Sequence, residues 1–194
     1  MGHAYLFEIG CKPGITDPVG RGLKQDIDHL GLGRVKNVSS AQLYRVSGQL
    51  SADEKNRIVK DLLCDPILNE SRDPSPGLRH PLPKGRGPTT LAFSLQGEGG
   101  RRPDEGSRRA MVIDVWYKTG VTDVVGDSVR KGIRDLNIHG VQDVRTGMRY
   151  HLEGVTRRDV AEKIALALLV NPLVHDSIIS APADPPKRSG GHAD

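Results

Sequence analysis

Tyr5, Phe7, Ile9 and Cys11 alternate with Leu6, Glu8 and Gly10, a period of two that predicts a strand with one buried and one wet face. Gly14 turns the chain. Asp17 and Pro18 then supply an N-cap and a first helical residue whose missing N–H costs nothing. Val19, Leu23, Ile27 and Leu30 follow at helical spacing until Gly31 stops the helix. Val35 to Ser39 and Leu43 to Gly48 read as two short strands of a hairpin, with Val35, Val38, Tyr44 and Val46 pointing inward. Ser51 and Glu54 make a capping box for a second helix carrying Ile58, Val59, Leu62 and Leu63. Pro66 ends it, and a short strand at Ile67 and Leu68 completes β-α-β-β-α-β.

The same pattern returns 106 residues later. Lys12-Pro13-Gly14-Ile15-Thr16-Asp17-Pro18-Val19-Gly20 recurs as Lys118-Thr119-Gly120-Val121-Thr122-Asp123-Val124-Val125-Gly126, and the same offset matches Ile27 with Ile133, Tyr44 with Tyr150 and Pro66 with Pro172. Met111, Ile113, Val115 and Tyr117 form the first strand face of the second copy. Asp123 caps a helix carrying Val125, Val129, Ile133 and Leu136. Tyr150 and Leu152 alternate with Arg149, His151 and Glu153, as in an antiparallel strand with one wet face. Thr156 and Asp159 cap the last helix, and Leu173 to Ile179 is the last strand.

The expected class is therefore α+β: two ferredoxin-like repeats, residues 1–70 and 110–180, paired as an intramolecular pseudo-dimer. Units of about 70 residues are marginal alone, so each gains core from the other, which is also expected to cover its open sheet face.

Residues 71–109 carry six prolines and seven glycines, the composition of a linker, with one apolar patch at Leu91 to Leu95. Residues 181–194 read as a disordered tail. The formal net charge of +4 comes from this linker, with eight Lys or Arg against four Asp or Glu; each repeat has nine of each. That distribution argues against a nucleic-acid-binding face on either repeat. Two cysteines, Cys11 and Cys64, exclude a disulfide framework, and no apolar run is long enough to span a bilayer. With no basic and apolar leader at the N-terminus, the expectation is a cytoplasmic protein without membrane association.

Catalytic motifs are missing: there is no P-loop, dinucleotide fingerprint, HExxH, G-x-S-x-G or paired C-x-x-C. The seven histidines have no ligand spacing, and Asp26 and Asp28 diverge on a helix. The repeated loop remains. Gly14, Gly120, Asp17 and Asp123 are explained by a turn and a cap, whereas Lys12, Lys118, Gly20 and Gly126 are not, since a glycine three residues into a helix costs about 1 kcal/mol against alanine. This makes the loops, with Pro13, a candidate partner-contact surface. Replacing Lys12 and Gly20 is expected to weaken partner binding and spare the fold.

A strand ending in Lys-Pro-Gly, a helix opening Asp-Pro-x-Gly, and a later Asp-Pro or Asn-Pro step (Asp65-Pro66, Asn171-Pro172) resemble PurS, the small subunit of phosphoribosylformylglycinamidine synthase. The second copy replaces two loop prolines by Thr119 and Val124. The resemblance implies a non-catalytic subunit of an ATP-dependent, glutamine-using ligase in purine biosynthesis. It would bridge the synthetase and glutaminase subunits, which use ATP, Mg and glutamine, while this chain binds no cofactor of its own. PurS proteins dimerise, so self-association is a further expectation. The alternative is a small-molecule-binding regulatory module of paired ferredoxin-like domains, which rests on fold analogy.

Overall fold

The computed structural model describes residues 3–72 and 110–181; the expected linker patch at Leu91 to Leu95 and the tail lie outside them. The first repeat runs β1 (His3–Cys11), α1 (Pro18–His29), β2 (Asn37–Gly48), α2 (Ala52–Ile58) and β3 (Asn69–Arg72). The second runs β4 (Ala110–Tyr117), α3 (Val124–Asp135), β5 (Val141–Glu153), α4 (Arg158–Ile164) and β6 (His175–Ser180). Both α2 and α4 widen into a π-helical turn, Val59–Leu63 and Ala165–Leu169. The bonds Cys64 N to Val59 O and Val170 N to Ala165 O, each 2.9 Å, close these turns.

All six strands form one sheet in the order β3-β1-β2-β5-β4-β6, with every neighbouring pair antiparallel. The α+β class and the paired ferredoxin-like repeats are as expected, but three local features differ. In place of a hairpin, each repeat has one long strand, β2 or β5, and these two lie at the middle of the combined sheet. Ser40 to Gln42, left between the two expected strands, pair continuously with Tyr150, Arg149 and Met148 of β5. The final strands begin later than expected. The Asp65 carboxylate accepts the amides of Ile67 and Leu68 at 2.7 and 3.2 Å, and Asn171 accepts that of Leu173 at 3.0 Å, so those residues turn instead of pairing. Helix α4 starts after Arg157, not Thr156, and has no side-chain cap; Asp159 instead pairs with Arg157 at 2.5 Å.

Pairing of the repeats is edge to edge, so the second repeat extends the first sheet and does not lie across its open face. Gln42 of β2 stands opposite Met148 of β5, its own counterpart at the 106-residue offset, and Ala41 opposite Arg149 mirrors Leu43 opposite Gly147. The pseudo-two-fold axis passes through that central pair.

Neither apolar core belongs to one repeat. Leu23 and Ile27 of α1 pack with Val38 against Met111, Ile113 and Leu152 of the second sheet half and Ala161 and Ile164 of α4. Reciprocally, Ile133 of α3 packs with Phe7, Ile9 and Val46 of the first sheet half and Ile58 of α2. Each repeat thus lends its first helix to the other's core, which is how two short units obtain fully buried side chains such as Ile27, Ile58, Ile133 and Ile164.

Candidate functional site

The repeated loops lie between β1 and α1 and between β4 and α3, related by the pseudo-two-fold axis. Positive φ at Gly14 (86°) and Gly120 (92°) closes each turn, where a side chain would be strained. Asp17 accepts the Gly20 amide at 2.9 Å, capping α1, and also takes the amide and hydroxyl of Ser40 on β2. Asp123 repeats this with Gly126 at 2.7 Å and with the amide and hydroxyl of Thr146 on β5 at 2.5 and 2.8 Å. One carboxylate therefore caps a helix and fastens it to a central strand.

The four residues that a turn and cap left unexplained also have internal contacts. A Cβ on Gly126 would stand 2.7 Å from the Val144 carbonyl oxygen, and one on Gly20 would run into that of Val38, so both glycines permit helix-to-strand approach. Substituting Gly20 therefore disturbs the fold, contrary to the expectation that it would be spared. The Lys12 ammonium donates to the Pro66 carbonyl, and Lys118 does the same to Pro172, joining the two separated parts of the sequence motif. What the loops present outward is Pro13, Gly14, Ile15, Thr16, Val19 and, in the second copy, Gly120, Val124 and Val125, all exposed.

Beside each loop is an open cavity, of about 400 Å³ in the first repeat and about 310 Å³ in the second. Lys12, Arg21, Lys24 and Arg72 line the first, with Asp17 as its one carboxylate. Lys118 and Arg145 line the second, together with Asp123, Asp127 and Asp143.

A second constellation sits on the sheet face away from the cores, where sequence alternation indicated water. Arg149 is fully buried there and holds Asp114 through two bonds of 2.7 Å and Glu8 through one of 2.5 Å. Glu8 and Asp114 are counterparts at the 106-residue offset, so one guanidinium serves the same carboxylate position in both repeats. The His151 ring lies 3.3 Å from Glu8. The overlooked signal was an acidic residue repeated in both first strands between apolar neighbours.

Burial opposes ionisation of Glu8, but the His151 hydrogen bond and the charges of Arg149 and His151 outweigh it and hold the carboxyl below its usual value of 4.5. A lowered carboxyl pKa adds stability that is complete above the unfolded value and disappears as pH falls through the folded one. Urea unfolding is therefore expected to show wild type losing stability on acidification below about pH 5. In Glu8→Gln this part of the acid slope should be gone; an unchanged slope would mean that Glu8 is not the titrating group.

Among the described residues, no three His, Cys, Asp or Glu side chains converge as a metal site, and no helix is long and apolar enough to cross a membrane. Cys11 shares the lining of the first cavity with Lys12 and Asp17, whose ammonium and carboxylate are held by the Pro66 carbonyl and by Gly20 and Ser40. Compared with known proteins, residues 6–72 and 110–182 both match one family model, PurS, described as phosphoribosylformylglycinamidine (FGAM) synthase. No curated protein matches the chain.

Proposed function

The chain belongs to the PurS family, and from that premise we propose that it is a non-catalytic subunit bridging the synthetase and glutaminase components of FGAM synthase. The observation that carries this reading is the pair of braced loops. Their lysines, cap aspartates and helix glycines are engaged internally, while Pro18 and Val19 of the first loop and their counterparts Val124 and Val125 of the second remain exposed at the same place in each repeat. Two preorganised apolar tips, related by a two-fold axis, suit a scaffold that docks two bodies. On this reading the synthetase and glutaminase handle ATP, Mg and glutamine in the cytoplasm, and the present chain contributes position alone.

The test is glutamine-dependent amidine synthesis by the synthetase and glutaminase of the same organism, with and without this chain. Synthesis from glutamine should require the chain, while synthesis from free ammonia should not. If both reactions proceed equally without it and no complex forms, the bridging role is wrong, and ligand-dependent thermal stabilisation becomes the test of a small-molecule-binding module.

A further inference from the structure

The two loop cavities began as copies and have diverged in charge. At the 106-residue offset, Arg21 corresponds to Asp127, Asn37 to Asp143 and Arg72 to Ile178. The first cavity thus has four cationic side chains against one carboxylate, and the second has two against three. Lys24 and Arg72 have nearby acids, Asp28 at 2.6 Å and Glu70 at 3.7 Å, and Arg72 also donates to the Cys11 carbonyl at 2.7 Å, but both cationic side chains keep about a third of their surface exposed. Arg21 is exposed on the same helix as Lys24. In the second cavity the acids stand beside Arg130 at 3.1 Å and Arg145 at 3.4 Å, so that surface is already close to self-neutralised.

We infer that the first loop and its cavity are the docking site for an acidic, Asp- and Glu-rich surface segment of one partner polypeptide, and that the second loop serves a different partner. This rests on the bridging reading and adds to it a division of labour. Identical loops on a two-fold scaffold would bind two copies of one partner; a charge difference between them breaks that symmetry, because like charges facing each other suppress the wrong pairing. An extended acidic segment can meet cations from three parts of the chain, the loop after β1, α1 and β3.

The experiment uses the full chain carrying Arg21→Glu and Lys24→Glu, and separately Asp127→Arg, with binding to purified synthetase and to purified glutaminase each measured by surface plasmon resonance at two salt concentrations. The double variant is expected to bind one of the two subunits at least about tenfold more weakly, mainly through slower association. Its binding to the other should be unchanged, and so should its melting temperature. Wild-type affinity for the affected subunit should fall as salt rises, and Asp127→Arg should leave that affinity intact.

Undiminished binding of both subunits by the double variant overturns the inference and leaves bridging in place. Loss of both together overturns the division of labour. Displacement of the bound subunit by millimolar inorganic phosphate, at constant ionic strength, would show a small-anion pocket and overturn the acidic-segment assignment. If wild type itself binds neither subunit, the bridging reading fails first, and this inference falls with it.

Discussion

Arg149→Met is expected to destabilise the fold by about 3–5 kcal/mol, because it leaves Glu8 and Asp114 buried without the guanidinium that both contact. Removing one member of a buried charged group costs more than the group contributes, since the desolvation of the remaining charges is no longer offset. For a protein of this size that amounts to a fall of roughly 10 °C in melting temperature. Replacing all three together, as Glu8→Leu, Asp114→Val and Arg149→Met, should restore most of the loss, because an apolar triad of similar volume has no charge to desolvate. Urea and thermal unfolding of the single and triple variants decide the matter. A single-variant cost below about 1 kcal/mol would place the cluster in contact with water and remove the premise.

The second large effect is expected at the loop carboxylates. Asp17→Ala removes a helix cap and the acceptor of both Ser40 bonds, and Asp123→Ala does the same at Gly126 and Thr146. A lost cap costs about 1 kcal/mol and a partly buried charge-assisted bond about 1.5–3 kcal/mol. Non-additivity within one carboxylate brings the expected total to roughly 2–4 kcal/mol for each variant. Asp→Asn should recover part of it, since one acceptor oxygen remains while its amide meets a backbone donor. Equal stability of Asp17→Ala and wild type in urea would mean that these bonds contribute nothing net, and the loops would then not be braced as described.

How these features read in the sequence follows from their physics. The duplication, the capped starts of α1, α2 and α3 and the inward sets of β1 and β4 were legible because each leaves a local mark: an offset, an Asp or Ser before a helix, an alternation. The long central strands were not. A strand between two others with both faces buried loses the alternation that marks it, so Ala41 and Leu43, buried away from the cores, broke the pattern set by Val38 and Val46. Arg149 misled for the opposite reason. Its alternation with Tyr150 and Leu152 is regular, but its charge is satisfied by partners 35 and 141 residues away, a distance that no local pattern reports.

The loops were legible as a repeated motif but not in their internal contacts. Gly20 and Gly126 announce a close approach without saying to what, and the approaching backbone is the chain's own β2 or β5. Lys12 and Lys118 reach carbonyls 54 residues on, which explains why the two ends of the motif travel together.

The pairing of Gln42 with Met148 sets an order of events during synthesis. When β2 leaves the ribosome its outer edge has no strand to bond, and the segment that will occupy that edge is 106 residues away. At about 5–20 residues per second the wait is on the order of 5 to 20 s. Through that interval one unpaired edge of the twelve-residue β2 and an α1 still without its receiving core are open to other nascent chains. A message truncated before β5 should consequently yield an aggregate, not half a scaffold.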